Sequence, residues 1–311
     1  MKPILKHMAV GIVLAISLVS AGTSGAETIG VIFSADMPYY QDIHSALVSR
    51  LKAEGYGERL KFLIQKPYPD TVSWSNAARK LIAADVDIIV TYGFSASLAA
   101  LRERPNIPIV YAGAFEPLTD GRAKNITGMY AKIPVSSVLR YLREAATVVN
   151  TLGVFYSSME EDSVRQLDEL QALSSKYGFE VQKFDVRRSA DISSLLAGSK
   201  NKSDAFFLTS SVLVNNALST ILNTARNEKI PTGSLLPRGE IAALITLTAN
   251  PNEQGHGAAG KLIEILNGKS AANIPSSHSK DIELIFNMKE AREMGIRIPI
   301  DLVTEATKIL Y

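Results

Sequence analysis

Short apolar runs alternate with longer amphipathic segments along nearly the whole chain. Thr28–Phe33, Leu60–Ile64, Asp87–Thr91 and Ile109–Ala112 are almost continuously apolar. The segments between them, 40–54, 73–84 and 95–104, carry apolar residues at helical spacing. Strands without in–out alternation are buried on both faces, so this β–α order predicts a parallel sheet covered by helices on both sides. The pattern then restarts. A helix over 136–146 leads to the strand Thr151–Tyr156, followed by a helix over 162–177 and the strand Glu180–Phe184. A helix over 192–198, the strand Ala205–Leu208, a helix over 213–227 and a strand beginning at Ile230 complete the second series. The tail adds an extended run at Ile241–Thr248, a helix over 254–266, the strand Ile282–Phe286 and a helix over 288–294. A last short helix follows Ile298-Pro299. Two series of the same order predict two similar doubly wound parallel-sheet α/β lobes, with a first crossing near Ile133-Pro134.

The first 26 residues break this pattern. Lys2 and Lys6 precede an apolar stretch from Met8 to Val19, and Ser24-Gly25-Ala26 closes it with small residues. This predicts a signal peptide cleaved after Ala26. The apolar stretch, about 12 residues, falls short of the about 20 that span a bilayer; the alternative is an uncleaved anchor helix.

The mature chain of about 285 residues has room for two domains. The full chain has 33 basic and 31 acidic residues, and loss of Lys2 and Lys6 leaves it near neutral. Such a balance gives no electrostatic drive toward nucleic acid or an anionic membrane. The absence of cysteine excludes disulfides, a thiolate metal site and a lipid-anchoring cysteine. The single tryptophan, Trp74, sits among polar neighbours.

Candidate chemistry is sparse. His44, His256 and His278 are the only histidines after residue 26, and none forms a pair at metal-ligand spacing. No Walker A or G-x-G-x-x-G motif occurs. Gly93-Phe94-Ser95-Ala96-Ser97 approaches a nucleophile elbow but lacks the second glycine; the simpler reading makes Ser95 a helix N-cap. Asp42 and His44 read as surface residues. No cofactor and no metal are expected.

The loops after the strands say more, because ligands of parallel sheets bind beyond the strands' carboxyl ends. In lobe one they carry Asp36, Tyr39, Tyr92, Phe94, Ser95, Phe115 and Glu116. In lobe two they carry Tyr156, Asp162, Ser163, Ser211 and Arg238. Aromatic rings mixed with hydroxyls suit a small ligand with an apolar body and a few polar handles.

At these loops the chain resembles the substrate-binding proteins of ABC transporters, within the family that has tryptophan- and tyrosine-binding members. The resemblance is carried by Asp87–Gly93, Ile107–Ala112, Glu116-Pro117-Leu118, Asn125–Met129 and Leu152–Tyr156. Gln254–Ala259, Leu266–Lys269 and Ala291–Pro299 extend it, in order, over nearly the whole mature chain. It implies a type I periplasmic-binding-protein fold with a three-crossing hinge. Lobe one would be 27–132 plus 251–280, and lobe two 133–250 plus 281–311. The resemblance also implies a periplasmic monomer that closes on a small-molecule ligand and serves an ABC permease in the inner membrane, or a membrane sensor.

The departures bear on the ligand. The family's Gly-Thr-Pro-Ala turn reads Gly93-Phe94-Ser95-Ala96, its Ser-Asp-Pro turn reads Phe115-Glu116-Pro117, and its Glu-Pro-Asn-Ser stretch reads Glu160-Glu161-Asp162-Ser163. Ser211 stands where the family carries an aspartate suited to an ammonium group. Glu116 or Asp162 can replace that charge, whereas Asp162 would repel a ligand carboxylate. Ser95 and Ser163 are candidate donors to an anion, and Arg238 a candidate counter-ion. An exported serine hydrolase acting through Ser95 is the competing reading.

Overall fold

The computed structural model describes residues 27–311 apart from 104, 119–124, 147, 200–201 and 237–240. The expected signal segment therefore lies outside the described residues. The chain opens with β1 (Glu27–Phe33), α1 (Pro38–Ala53), β2 (Leu60–Gln65), α2 (Thr71–Ala83), β3 (Ile88–Tyr92), α3 (Phe94–Arg102), β4 (Ile109–Ala114) and β5 (Ile126–Tyr130). After a crossing at 131–134 come α4 (Val135–Ala145), β6 (Thr151–Tyr156), α5 (Glu161–Ser174), β7 (Glu180–Asp185), α6 (Ile192–Ser199) and β8 (Ala205–Leu208). Then follow α7 (Val212–Asn216), α8 (Leu218–Glu228), β9 (Thr232–Ser234) and β10 (Ile245–Ala249). The chain returns to the first lobe for α9 (Pro251–Leu266) and β11 (Ser277–His278), and ends in the second with β12 (Ile282–Asn287), α10 (Met288–Met294), α11 (Ile300–Glu305) and β13 (Lys308–Leu310).

The first sheet has the order β11-β5-β4-β3-β1-β2, all parallel. The second has the order β13-β12-β10-β9-β8-β6-β7. One pairing departs from the parallel expectation: β12 runs antiparallel to β10, with Leu247 opposite Leu284. The reason is topological, because β12 enters the sheet on the chain's return from the other lobe. Each sheet buries an apolar layer on each face. In lobe one α1 and α9 cover Ile29, Val31 and Val90, while α2 and α3 cover Ile32, Ile89 and Tyr111. Gly255 on α9 permits the close approach of α1, since a Cβ there would meet the Ile43 carbonyl at 2.3 Å.

Local chemistry fixes the element ends. Asp70 caps α2 by accepting from the Ser73 N–H (2.8 Å), and Asn250 caps α9 ahead of Pro251. Several expectations are corrected here. Gly93, not Ser95, is the N-cap of α3. The expected helix over 213–227 is two helices that meet at Ala217. Trp74 is buried and donates its indole N–H to the Ser34 carbonyl (2.9 Å). His44 is half-buried on α1, with Nδ1 2.9 Å from the Tyr92 hydroxyl.

The second and third crossings are tied together. The Asn250 N–H donates to the Asp281 carbonyl (3.0 Å), and Glu253 accepts from the Lys280 and Asp281 N–H groups (3.0 Å each). At the first crossing Lys132 sits at φ 52°, an uncommon left-handed position for a side-chain-bearing residue.

Gly93 has φ 88°, and a Cβ there would lie 2.5 Å from the Tyr40 hydroxyl and 2.6 Å from Ser34 Oγ. Gly93→Ala is expected to cost about 1–3 kcal/mol, seen as a lowered Tm in thermal unfolding. Gly198→Ala, on an open helical surface, should leave Tm unchanged or raise it slightly. Equal Tm values for the two variants would contradict the strain argument.

Candidate functional site

The lobes meet at the carboxyl ends of their sheets. A narrow space with a free volume of about 10 Å³ lies between them. Lobe one contributes Tyr39 and Tyr40 from the first turn of α1, Gly113 from β4, and Phe115. Lobe two contributes Asp162 from the first turn of α5, Ser210 after β8, Leu235 and Leu236 after β9, and Thr248 from β10. Ala131 and Ile133 of the first crossing close one side.

Asp162 sets the electrostatics of this space. It is 5% exposed. Its Oδ2 lies 3.5 Å from Ser210 Oγ, and its Oδ1 has no hydrogen-bond partner. Burial, and then the charge of Glu160, push its carboxyl well above the usual aspartate range. Ser210 is held by Gln166, which accepts from the Ser210 N–H (2.8 Å) and donates through Nε2 to its hydroxyl.

Glu160 is buried too, yet its oxygens are fully engaged. Oε1 accepts from the Ser211 hydroxyl (2.6 Å) and the Leu213 N–H (3.1 Å), and Oε2 from the Val212 N–H (2.8 Å). Burial raises its pKa while these donors oppose the rise. The carboxylate thus stitches the loop after β6 to the start of α7, where Ser211 is the N-cap and accepts from the Val214 N–H (3.2 Å).

Contacts across the space are both apolar and polar; Val212 and Leu236 of lobe two pack in one cluster with Met37, Tyr39 and Tyr40 of lobe one. Tyr39 donates its hydroxyl to the Ala249 carbonyl (3.1 Å). Arg102 meets Glu161 at 3.1 Å. Arg165 meets Glu116 at 3.1 Å and lies over the Phe94 ring, 5.5 Å from its centre. Asn215 reaches Met37 Sδ at 3.6 Å, and its own Oδ1 is buried without a partner.

The structure brings Tyr39, Phe115 and Asp162 together in the space. Phe94 and Ser95 sit at one rim, in a hollow of about 60 Å³ shared with Trp74, Arg102, Met159 and Glu161; none of the described residues lining it is a histidine. Glu116 lies at the rim next to the first crossing, beside Tyr130, Lys132 and Glu169. The other expected positions are not among the residues lining the space. Tyr92 is core, its ring tilted against Phe33 with centres 4.9 Å apart, and hydrogen-bonded to His44. Asp36 is exposed and held by Gln41 (2.5 Å) and Lys66 (2.7 Å). Tyr156 ends β6 beside Asp185 on the outer strand β7. Ser163 accepts from the Ser157 N–H (2.9 Å) and pairs with Thr209 (2.7 Å), fastening two loops of lobe two. Ser211 is spent on Glu160. Arg238 lies outside the described residues. Tyr40, Glu160, Gln166 and Ser210 went unread in the sequence as site residues; the pairing of Tyr40 with Tyr39 and of Glu160 with Asp162 was the available signal.

With this geometry in place, the comparisons decide the family. Residues 28–310 match the model of the ABC transporter substrate binding proteins. The chain belongs to that family. As a substrate-binding protein of this kind, it binds a small solute. It is 22% identical over 272 residues to the tyrosine-binding protein of Clostridioides difficile, covering 84% of this chain and 79% of that one. Among solved structures it is similar to an ABC domain of Streptococcus pneumoniae in complex with L-Trp, with TM-score 0.86, 22% identity, and 92% and 100% of the two chains covered. It is also similar to a conserved domain protein of Vibrio cholerae, with TM-score 0.86, 23% identity, and 91% and 99% covered. The ligand-free, open structure of a Clostridium difficile substrate-binding protein gives TM-score 0.67 at 23% identity, with 91% and 99% covered. No described helix of this substrate-binding protein is long and apolar enough to cross a membrane.

Glu160→Ala should destabilise the protein by about 3 kcal/mol or more, because three buried donors lose their acceptor. Asp162→Asn should raise the Tm of the unliganded protein at pH 7. A carboxyl whose folded pKa is raised loses stability as pH climbs from the unfolded value, about 3.9. The Asn variant's advantage should therefore shrink to nothing below about pH 4; an advantage that persists there would refute the assignment to charge.

Proposed function

We propose that this chain is the exported, solute-capturing component of an ABC uptake system and performs no chemistry of its own. The supporting observation is Asp162: a buried carboxylate with an unpartnered oxygen, facing a space that exists only because two lobes approach each other. A buried polar atom without a partner is costly, and a ligand donor in the space would supply the partner. Tyr39, Tyr40 and Phe115 suit the ligand's apolar body. The contacts across the space are non-covalent and partly exposed, so they can open. We read Ala131–Pro134, the link at Asn250 and the strip at 279–281 as a three-strand hinge between lobes 27–132 plus 251–280 and 133–250 plus 281–311.

The better superposition on the L-Trp complex than on the ligand-free, open structure supports reading the present arrangement as closed. Release would then require opening against a membrane permease, in keeping with the export expected from residues 1–26. Phe94, Ser95 and Glu116, at the two rims, would be covered on closure rather than contact the ligand's core. Asp36, Tyr92, Tyr156, Ser163 and Ser211 would act structurally.

A thermal-shift screen of amino acids, amines, aromatic acids, nucleosides and sugars should return at least one solute that raises Tm, by mass action on the native state. Phe115→Ala should weaken that hit at least tenfold, from the loss of about 1.5–3 kcal/mol of aromatic burial. Arg165→Ala, which removes exposed pairs worth about 0.2–1 kcal/mol each, should weaken it only a few-fold, with a difference that fades in high salt. A screen without a hit would remove the capture reading.

A further inference from the structure

We infer that the captured solute is a small organic cation, an amine or quaternary ammonium group on an apolar body, with no carboxylate beside the cationic centre. This rests on reading the inter-lobe space as the ligand site. Two buried acids, Glu160 and Asp162, lie two residues apart at the start of α5, 2% and 5% exposed. Glu160 acts only as an acceptor, because three donors converge on its two oxygens. Its negative charge is neutralised by no basic side chain in those contacts. Asp162 then presents Oδ1 unpartnered, while lining the space.

The rest of the lining holds tyrosine, phenylalanine, aliphatic and hydroxyl side chains, and none of the described lining residues is lysine, arginine or histidine. The arginines at the rim are already committed: Arg102 to Glu161, and Arg165 to Glu116 and Glu161. A ligand ammonium would give Asp162 the hydrogen bond and counter-charge it lacks. The rings of Tyr39 and Tyr40, 5.7 Å apart, and of Phe115 line the space, and aromatic rings are favourable surroundings for a cation. A carboxylate on the same carbon would instead face Asp162, with Glu160 buried two residues away, and only hydroxyl groups for compensation. The site thus discriminates against an ordinary zwitterionic amino acid by repulsion as well as by missing contacts.

Matched ligands isolate the charge. Calorimetric titration of the full mature chain at pH 7.5 compares phenethylamine, L-phenylalanine, 3-phenylpropionate and 2-phenylethanol. A second series of isoamylamine, L-leucine and 4-methylpentanoate covers an aliphatic body. In at least one series the amine should bind ten or more times tighter than its amino acid, and the acid and alcohol should not bind. Asp162→Asn, checked for folding by circular dichroism, should lose at least tenfold in amine affinity and narrow the gap to the amino acid. Several outcomes would overturn the inference: an amino acid that binds as tightly as its amine, unchanged amine affinity in Asp162→Asn, or no binding by any amine. Amino-acid binding that disappears in Arg238→Ala would overturn it too, by identifying the carboxylate's partner. In those cases a hit among the acids, sugars or nucleosides of the wider screen leaves the capture function standing, whereas silence across that whole screen removes both.

Discussion

A buried carboxylate with one unpartnered oxygen is the constraint on which the proposed arrangement depends. Asp162 belongs to lobe two, yet its burial is completed by Tyr39, Tyr40 and Phe115 of lobe one. With the lobes apart, water would hydrate it at little cost. With the lobes together it must gain a proton or gain a partner. Asn215 Oδ1, buried where α7 meets Met37, adds to the same cost. Under the proposed function, closure without ligand would be opposed by the site itself, and a fitting ligand would act by removing that opposition. This is differential affinity for two states, which is what a ligand needs in order to shift an equilibrium.

The rest of the fold serves that arrangement. Glu160 fixes the start of α7 against the loop that presents Asp162, and Gln166 fixes Ser210. Gly93 lets Tyr40 and Ser34 crowd against the turn into α3. Ser34 Oγ in turn accepts from the Ala96 N–H (3.0 Å). The second and third crossings are clipped together by Glu253 and Asn250.

Much of the fold was legible because central parallel strands are buried on both faces and therefore read as unbroken apolar runs. Thr151–Tyr156, Ala205–Leu208 and Met288–Met294 lie where the pattern places them. The pattern does not mark β5, β11 and β13. Ile126–Tyr130 is interrupted by Thr127 and Gly128, Ser277–His278 is exposed and two residues long, and Lys308–Leu310 is a three-residue edge. The site was half legible. Acids and aromatics in loops after strands announce themselves, and Asp162, Tyr39 and Phe115 do converge. What local sequence cannot show is which partner a side chain meets at long range. Tyr92 is taken by His44, 48 residues away, and Ser211 by Glu160, 51 residues away. Both carry the residue type of a binding group and neither is free to bind.

The most direct test observes the Asp162 carboxyl itself. Difference infrared spectroscopy on the protein with isotope-labelled aspartate, recorded before and after addition of the tightest-binding amine, reports its protonation. The account predicts loss of a protonated carboxyl band and growth of carboxylate bands on binding, with both changes absent in Asp162→Asn. An unchanged carboxyl signal, or the same difference spectrum in the Asn variant, would contradict it.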